Sequence, residues 1–99
     1  MNIPIIETVT LDTPLKRGEQ LIEKVTLRKP MSGELRGLSL NDILQNDVLS
    51  LQKVIPRIST PMLTEQDVAN LDPADLMQMG SKISYFLVPK AMKLDSPTT

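Results

Sequence analysis

The stretch "LKRGEQLIEKVTLRKPMSGELRGLSL", residues 15–40, decides how the chain is read, because its hydrophobic period is two and the period after it is not. Within "EQLIEKVTLRK" (19–29), Leu21, Val25 and Leu27 share one face of an extended chain, and Lys24, Thr26 and Arg28 point away. Ile22 falls out of phase, which predicts a twist or bulge near the turn. Upstream, "ETVTLD" (7–12) alternates as strictly, with Val9 and Leu11 opposed to Thr8 and Thr10. The intervening "TPLKRG" (13–18) reverses the chain, since Pro14 fixes one backbone angle and Gly18 accepts a positive φ. An antiparallel hairpin follows from these observations. Pro30 and Gly33 bracket a second turn, and "ELRGLSL" (34–40) reads as a short third strand, with Leu35 out of step with Leu38 and Leu40.

From Leu40 the period becomes 3.6. Leu40, Ile43, Leu44, Val48, Leu51, Ile55 and Ile58 form one helical stripe, largely opposite Asn41, Asp42, Gln45 and Lys53. Ser39 is placed to cap this helix, and Pro56 is expected to end or kink it. "RISTPML" (57–63) reads as a connector. Thr64 opens a short helix with Asp67 in the reciprocal capping position. In "DPADLMQMGSKISYFLVPK" (72–90), Asp72 caps, Pro73 occupies the first helical position and Asp75 adds charge to the first turn. Leu76, Met79, Ile83 and Leu87 make that helix's stripe, and Pro89 stops it. The expected fold is α+β: a small N-terminal antiparallel β-hairpin or sheet followed by about three α-helices. One domain is expected over residues 1–88, with 8–38 the hairpin region and 39–88 the helical region. Residues 89–99 read as a flexible tail.

Composition narrows the function classes. Tyr85 and Phe86 are the only aromatics among 99 residues, so a cleft that stacks a base or flavin is hard to build. The net charge of −1 argues against binding nucleic acid through its phosphates. The middle third, residues 39–75, carries two bases against six acids, an acidic surface suited to a basic partner. Without cysteine or histidine there is no thiolate, imidazole or Cys/His metal chemistry. "MNIPIIETVT" lacks the basic start of a secretory signal, and no window approaches a membrane span. The cytoplasm is the expected compartment. The close carboxylate pairs Asp72/Asp75 and Glu65/Asp67 sit where helix caps want acids, and Lys16, Arg17, Arg28, Lys29 and Arg36 read as a solvated hairpin face. No enzyme and no cofactor are expected. Methionines favour adaptable protein contacts as well as core filling. Met62, Met77, Met79 and Tyr85 are therefore the candidate partner contacts, with Asp42 and Asp47 as charge partners. A regulatory DNA-binding module and a structural subunit are the competing readings.

Taken whole, "VTLDTPLKRGEQLIEKVTLRKPMSGELRGLSL" followed by "LQKVIPRISTPMLTEQDVANLDPADL" resembles the E-type tail assembly chaperone family of contractile-tailed phages. The resemblance runs from about Thr8 to Val88. It rests on the order and spacing of the "RGE" strand, the "VTLRKP" strand, the Gly-x-Leu-Arg-Gly step, the "PRIST" connector and the "LTEQDVANLDPADL" helix pair. It implies a small late protein of the host cytoplasm, absent from the mature virion, that binds the tape measure protein before the tail tube polymerises. It also implies a second, frameshifted and extended form of the same chain as a partner. A T-TTT-TTG slippery heptamer would encode through Tyr85-Phe86-Leu87. Self-association of this small chain is a further expectation.

Overall fold

The computed structural model describes residues 5–89. The expected flexible tail at 89–99 therefore lies almost wholly outside the described residues. Strand β1 (Ile6–Arg17) and strand β2 (Gln20–Arg28) form the hairpin, joined through Gly18 and Glu19. Gly18 has a φ of 62°, the left-handed value that the first central residue of a tight hairpin turn requires. The reversal is therefore later than "TPLKRG" suggests, and Pro14 lies inside β1. It is tolerated there because the ladder is already broken: the register slips between Thr10, opposite Lys24, and Leu15, opposite Ile22.

That slip corrects the face assignment in β2. Ile22, Val25 and Leu27 point into the core, and Leu21 is 54% exposed. The bulge was legible; its side was not.

"ELRGLSL" is not a strand. Ser32–Leu35 form one turn of 3₁₀-helix, and the third strand is β3 (Ser59–Thr60), placed where a connector was expected. It pairs antiparallel with β2 at Thr26 and Leu27, giving the sheet order β1-β2-β3. The expected long helix is two: α1 (Leu40–Leu44) and α2 (Val48–Ile58). Ser39 caps the first and Asp47 the second, and between them Asn46 sits at a φ of 59°. Pro56 neither ends nor interrupts α2 until Ile58.

Helix α3 (Glu65–Ala69) carries the expected Thr64/Asp67 capping box, and α4 (Pro73–Leu87) carries the expected Asp72 cap with Pro73 at its start. The α+β order holds, with four α-helices among the described residues rather than about three.

One core joins both halves. Val9, Leu11, Leu15, Ile22, Val25 and Leu27 of the hairpin meet Ile43, Leu51, Val54, Ile55 and Ile58 of α1 and α2 and Met79, Ile83 and Phe86 of α4. Polar latches fix the halves to each other. The Asp75 carboxylate, fully buried, accepts the backbone N–H groups of Asp12 at 2.7 Å and Thr13 at 3.1 Å. Both donors lie in the stretch of β1 where the register slips. Thr13 Oγ1 donates to Asp72 at 2.9 Å beside them.

Candidate functional site

The break between α1 and α2 decides which apolar side chains stay outside. Had residues 40–58 formed one helix, a single stripe would have buried Leu40, Leu44 and Val48 together with Ile43 and Leu51. Asn46 in the left-handed conformation re-phases the chain instead. Leu40 (53% exposed), Leu44 (49%), Val48 (51%) and Leu49 (66%) are left on the surface. Leu40 and Leu44 are one turn apart on α1 and share a face. Leu40 also forms a wall of a cleft of about 310 Å³, with Pro30, Leu35, Phe86 and Val88. Contiguous apolar lining of this kind is what a protein-binding surface offers.

The sequence-derived contacts divide. Met62 and Met77 are exposed, at 70% and 63%. Met79 is not a surface residue: it is fully buried in the core, because α4 turns that face toward the sheet. Tyr85 stands more than half exposed at a shallow depression lined by Glu7, Ser81 and Lys82, where Lys82 Nζ meets Glu7 Oε1 at 3.4 Å.

Asp42 and Asp47 are both exposed; Asp42, two residues from both Leu40 and Leu44, lies on the opposite side of α1, and Asp47 immediately precedes Val48 at the start of α2. Asp47 has local work as well, since its Oδ2 accepts the N–H of Ser50 at 3.0 Å and the Ser50 hydroxyl at 2.9 Å. What the sequence missed is the exposure of Leu40, Leu44 and Val48, assigned to the buried stripe, and of Leu49, which lies outside it. The signal was there in Asn46-Asp47, a left-handed residue followed by an N-cap.

Two basic residues of the hairpin, Arg17 and Arg28, are tied into the fold rather than free. Arg17 Nη1 donates to the Asp67 carboxylate at 2.8 Å and to the Met62 carbonyl at 2.9 Å, tying the end of β1 to the approach to α3. Arg28 makes a two-pronged pair with Glu34 and reaches the Arg57 carbonyl at 3.0 Å. Arg57 in turn donates to the carbonyls of Glu34 at 2.6 Å and Arg36 at 3.2 Å. The Arg28 guanidinium and then the Met31 N–H hold the Glu34 carboxyl down at about 2. Asp67 is lowered by the Thr64 N–H first and by Arg17 as well. Asp72 is lowered by the Ala74 N–H and the Thr13 hydroxyl.

Among the described residues, no cluster of three or more His, Cys, Asp or Glu side chains is arranged to hold a metal ion. No helix among them is long and apolar enough to cross a membrane.

Residues 8–88 match a family model described as "Phage tail assembly chaperone proteins, E, or 41 or 14". Tail assembly protein E of Escherichia phage P2 is 51% identical over 85 residues, which is 86% of this chain and 93% of that protein. Tail assembly protein E′ of the same phage is 54% identical over 80 residues, 81% of this chain but 56% of E′. No solved structure matches.

Proposed function

Since this chain belongs to the family of phage tail assembly chaperone proteins E, 41 and 14, we propose that it is a non-enzymatic chaperone that covers apolar helical segments of the tape measure protein until the tail tube forms around them. The observation that carries this reading is the surface on α1 and α2. Leu40, Leu44, Val48 and Leu49 stand about half or more exposed, with the exposed Asp47 at the start of α2. A helix with an apolar face and basic flanks fits such a surface by shape and by charge. The exposed Met62 and Met77 are further adaptable apolar contacts. The protein works in the host cytoplasm and leaves before the virion matures.

A longer form belongs to the same proposal. In P2, proteins E and E′ both match most of this chain, and E′ continues well beyond the matched length. A frameshift near the codons of Tyr85-Phe86-Leu87 would give this chain an extended form with the same N-terminal fold.

Co-expression with the tape measure protein tests the central claim. The client should become soluble and co-purify, and Leu44→Ser with Leu49→Ser should abolish both effects while leaving the circular dichroism unchanged. A client indifferent to the wild-type chain overturns the reading. Stoichiometric amounts of this protein in purified virions would point to a structural subunit instead.

A further inference from the structure

The stop that separates α1 from α2 is weakly built. The Asp47 N–H donates to the Asp42 carbonyl at 2.9 Å and the Asn46 N–H to the Ile43 carbonyl at 3.0 Å. These are the paired bonds that close a helix on a left-handed residue. Glycine takes that conformation without strain, but the residue here is Asn46, at a φ of 59°. An apolar contact frequently joins the two residues bridged by the longer bond, and here both are acids, Asp42 and Asp47.

The seat of α1 on α4 is weak as well. Ile43 is the one buried side chain of α1. Asn46 Oδ1, buried over Gly80 of α4, has no hydrogen-bond partner among the described residues. Ser84 Oγ, one turn along α4 on the face it shares with Gly80, is buried without a partner too. Each unpaired buried polar atom costs stability in this arrangement. Across the break, meanwhile, the sequence stays in helical phase. At about 100° per residue, Leu40, Leu44 and Val48 fall on the same side of an uninterrupted helix as Leu51, Ile55 and Ile58. Gln45, Asn46 and Asp47 include neither glycine nor proline, so a helix can run through them.

From these observations we infer that residues 40–58 are a switch between two states, the broken helix of this structure and one continuous helix. The second is reached when Asn46 turns from the left-handed to the right-handed conformation and α1 leaves α4. It brings Leu40, Leu44 and Val48 into line with Leu51 and adds Ile43 to the exposed stripe. The inference deepens the proposed chaperone function and rests on it for the partner, an apolar client helix. Without a client, the burial of Ile43 holds α1 on α4. A ligand shifts such an equilibrium only by binding one state better than the other, and the longer apolar stripe is what a client helix gains from the continuous state.

Nuclear magnetic resonance of the full chain, without a client, tests the switch. Asn46→Ala disfavours the left-handed backbone and supplies the best helix former, so it should raise the continuous form about tenfold. The Cα chemical shifts should then run helical without interruption from residue 40 to residue 58. Asn46→Gly, which relieves the left-handed backbone, should leave Gln45 and Asp47 less helical than in the wild type. Asp47→Ala, which removes one acid of the stop and the cap on Ser50, should move the shifts in the same direction as Asn46→Ala and serves if that variant does not fold. In co-expression with the tape measure protein, Asn46→Gly should recover at least about threefold less client than the wild type. The inference is overturned if folded Asn46→Ala and Asp47→Ala both keep the break, or if they lose helical shifts at residues 40–44, since α1 then only frays. Client recovery by Asn46→Gly equal to that of the wild type overturns it as well. A client indifferent to the wild type overturns the chaperone reading and with it the client's part in the switch, and the spectra, which need no client, decide the two states themselves.

Discussion

At the scale of single residues, acids do most of the joining. Asp75 was legible only as a negative charge in a helix's first turn, which its position justifies. Its actual work is done across 62 and 63 residues of sequence, on the N–H groups of Thr13 and Asp12, and no local pattern announces such a partner. Asp75→Ala leaves both donors without their acceptor and should cost about 2–4 kcal/mol in urea unfolding. Asp75→Asn, which keeps an acceptor oxygen, should lose distinctly less. Glu34 gives the pH prediction. Its folded pKa of about 2 lies below the ordinary value of 4.5, so its contribution is complete above about pH 4.5 and is lost as pH falls toward 2. Asp67 and Asp72 shift in the same direction, so acid should destabilise the fold over this window. Glu34→Gln should flatten the profile by no more than about 1 kcal/mol, because the pair with Arg28 is partly open to solvent. Urea midpoints measured from pH 6 to pH 2 check both the sign and the size.

At the scale of elements, ends were easier to read than interruptions. The starts of α1, α3 and α4 were visible in Ser39, Thr64 and Asp72, because a capping side chain and its acceptor geometry are local. The break between α1 and α2 has its local signal in Asn46-Asp47 and also a contact from outside. The Asn46 side chain lies over Gly80 of α4, so close that a Cβ at Gly80 would stand 2.5 Å from Asn46 Oδ1 and 3.1 Å from Leu51 Cδ1. A glycine in the middle of a helix lowers its stability, yet here it admits the turn that leaves Leu44, Val48 and Leu49 exposed. Gly80→Ala should therefore destabilise by about 1–3 kcal/mol despite alanine's better helix propensity. Adding Asn46→Gly, which keeps the left-handed backbone and removes the obstructing side chain, should restore most of the loss. A thermal-unfolding double-mutant cycle measures the coupling. Within α4 the two methionines separate packing from contact. Met79→Ser should lower stability by about 2–5 kcal/mol, as loss of a buried side chain does, and Met77→Ser should leave the melting temperature nearly unchanged.

At the scale of the whole molecule, the hairpin and the helices are two sequence periods but one core. The change of period at Leu40 located the boundary between them and so gave the α+β class. The same alternation assigned a third strand to residues 34–40, because a two-residue strand such as Ser59–Thr60 is too short to carry a period. What periodicity cannot express is dependence. Among the described residues, the hairpin's apolar face, Val9, Leu11, Leu15, Ile22, Val25 and Leu27, is buried in one cluster with residues of α1, α2, α3 and α4. Its bulge takes its acceptor from α4, and its end is held to Asp67 by Arg17. A two-stranded hairpin with an uncovered apolar face is marginal in water. Residues 1–38 alone should then show no strand signal in circular dichroism and no dispersed amide resonances, although they contain every residue of β1 and β2. The full chain should unfold in one transition, with far-ultraviolet ellipticity and the Tyr85 signal changing at the same urea concentration. Separate transitions, or a folded 1–38 peptide, would mean that the sheet stands by itself and that the latches from Asp75 and Asp67 join two independent units. If the single transition holds, the sheet and the apolar surface on α1 and α2 exist only together, and a substitution that unfolds either one removes both.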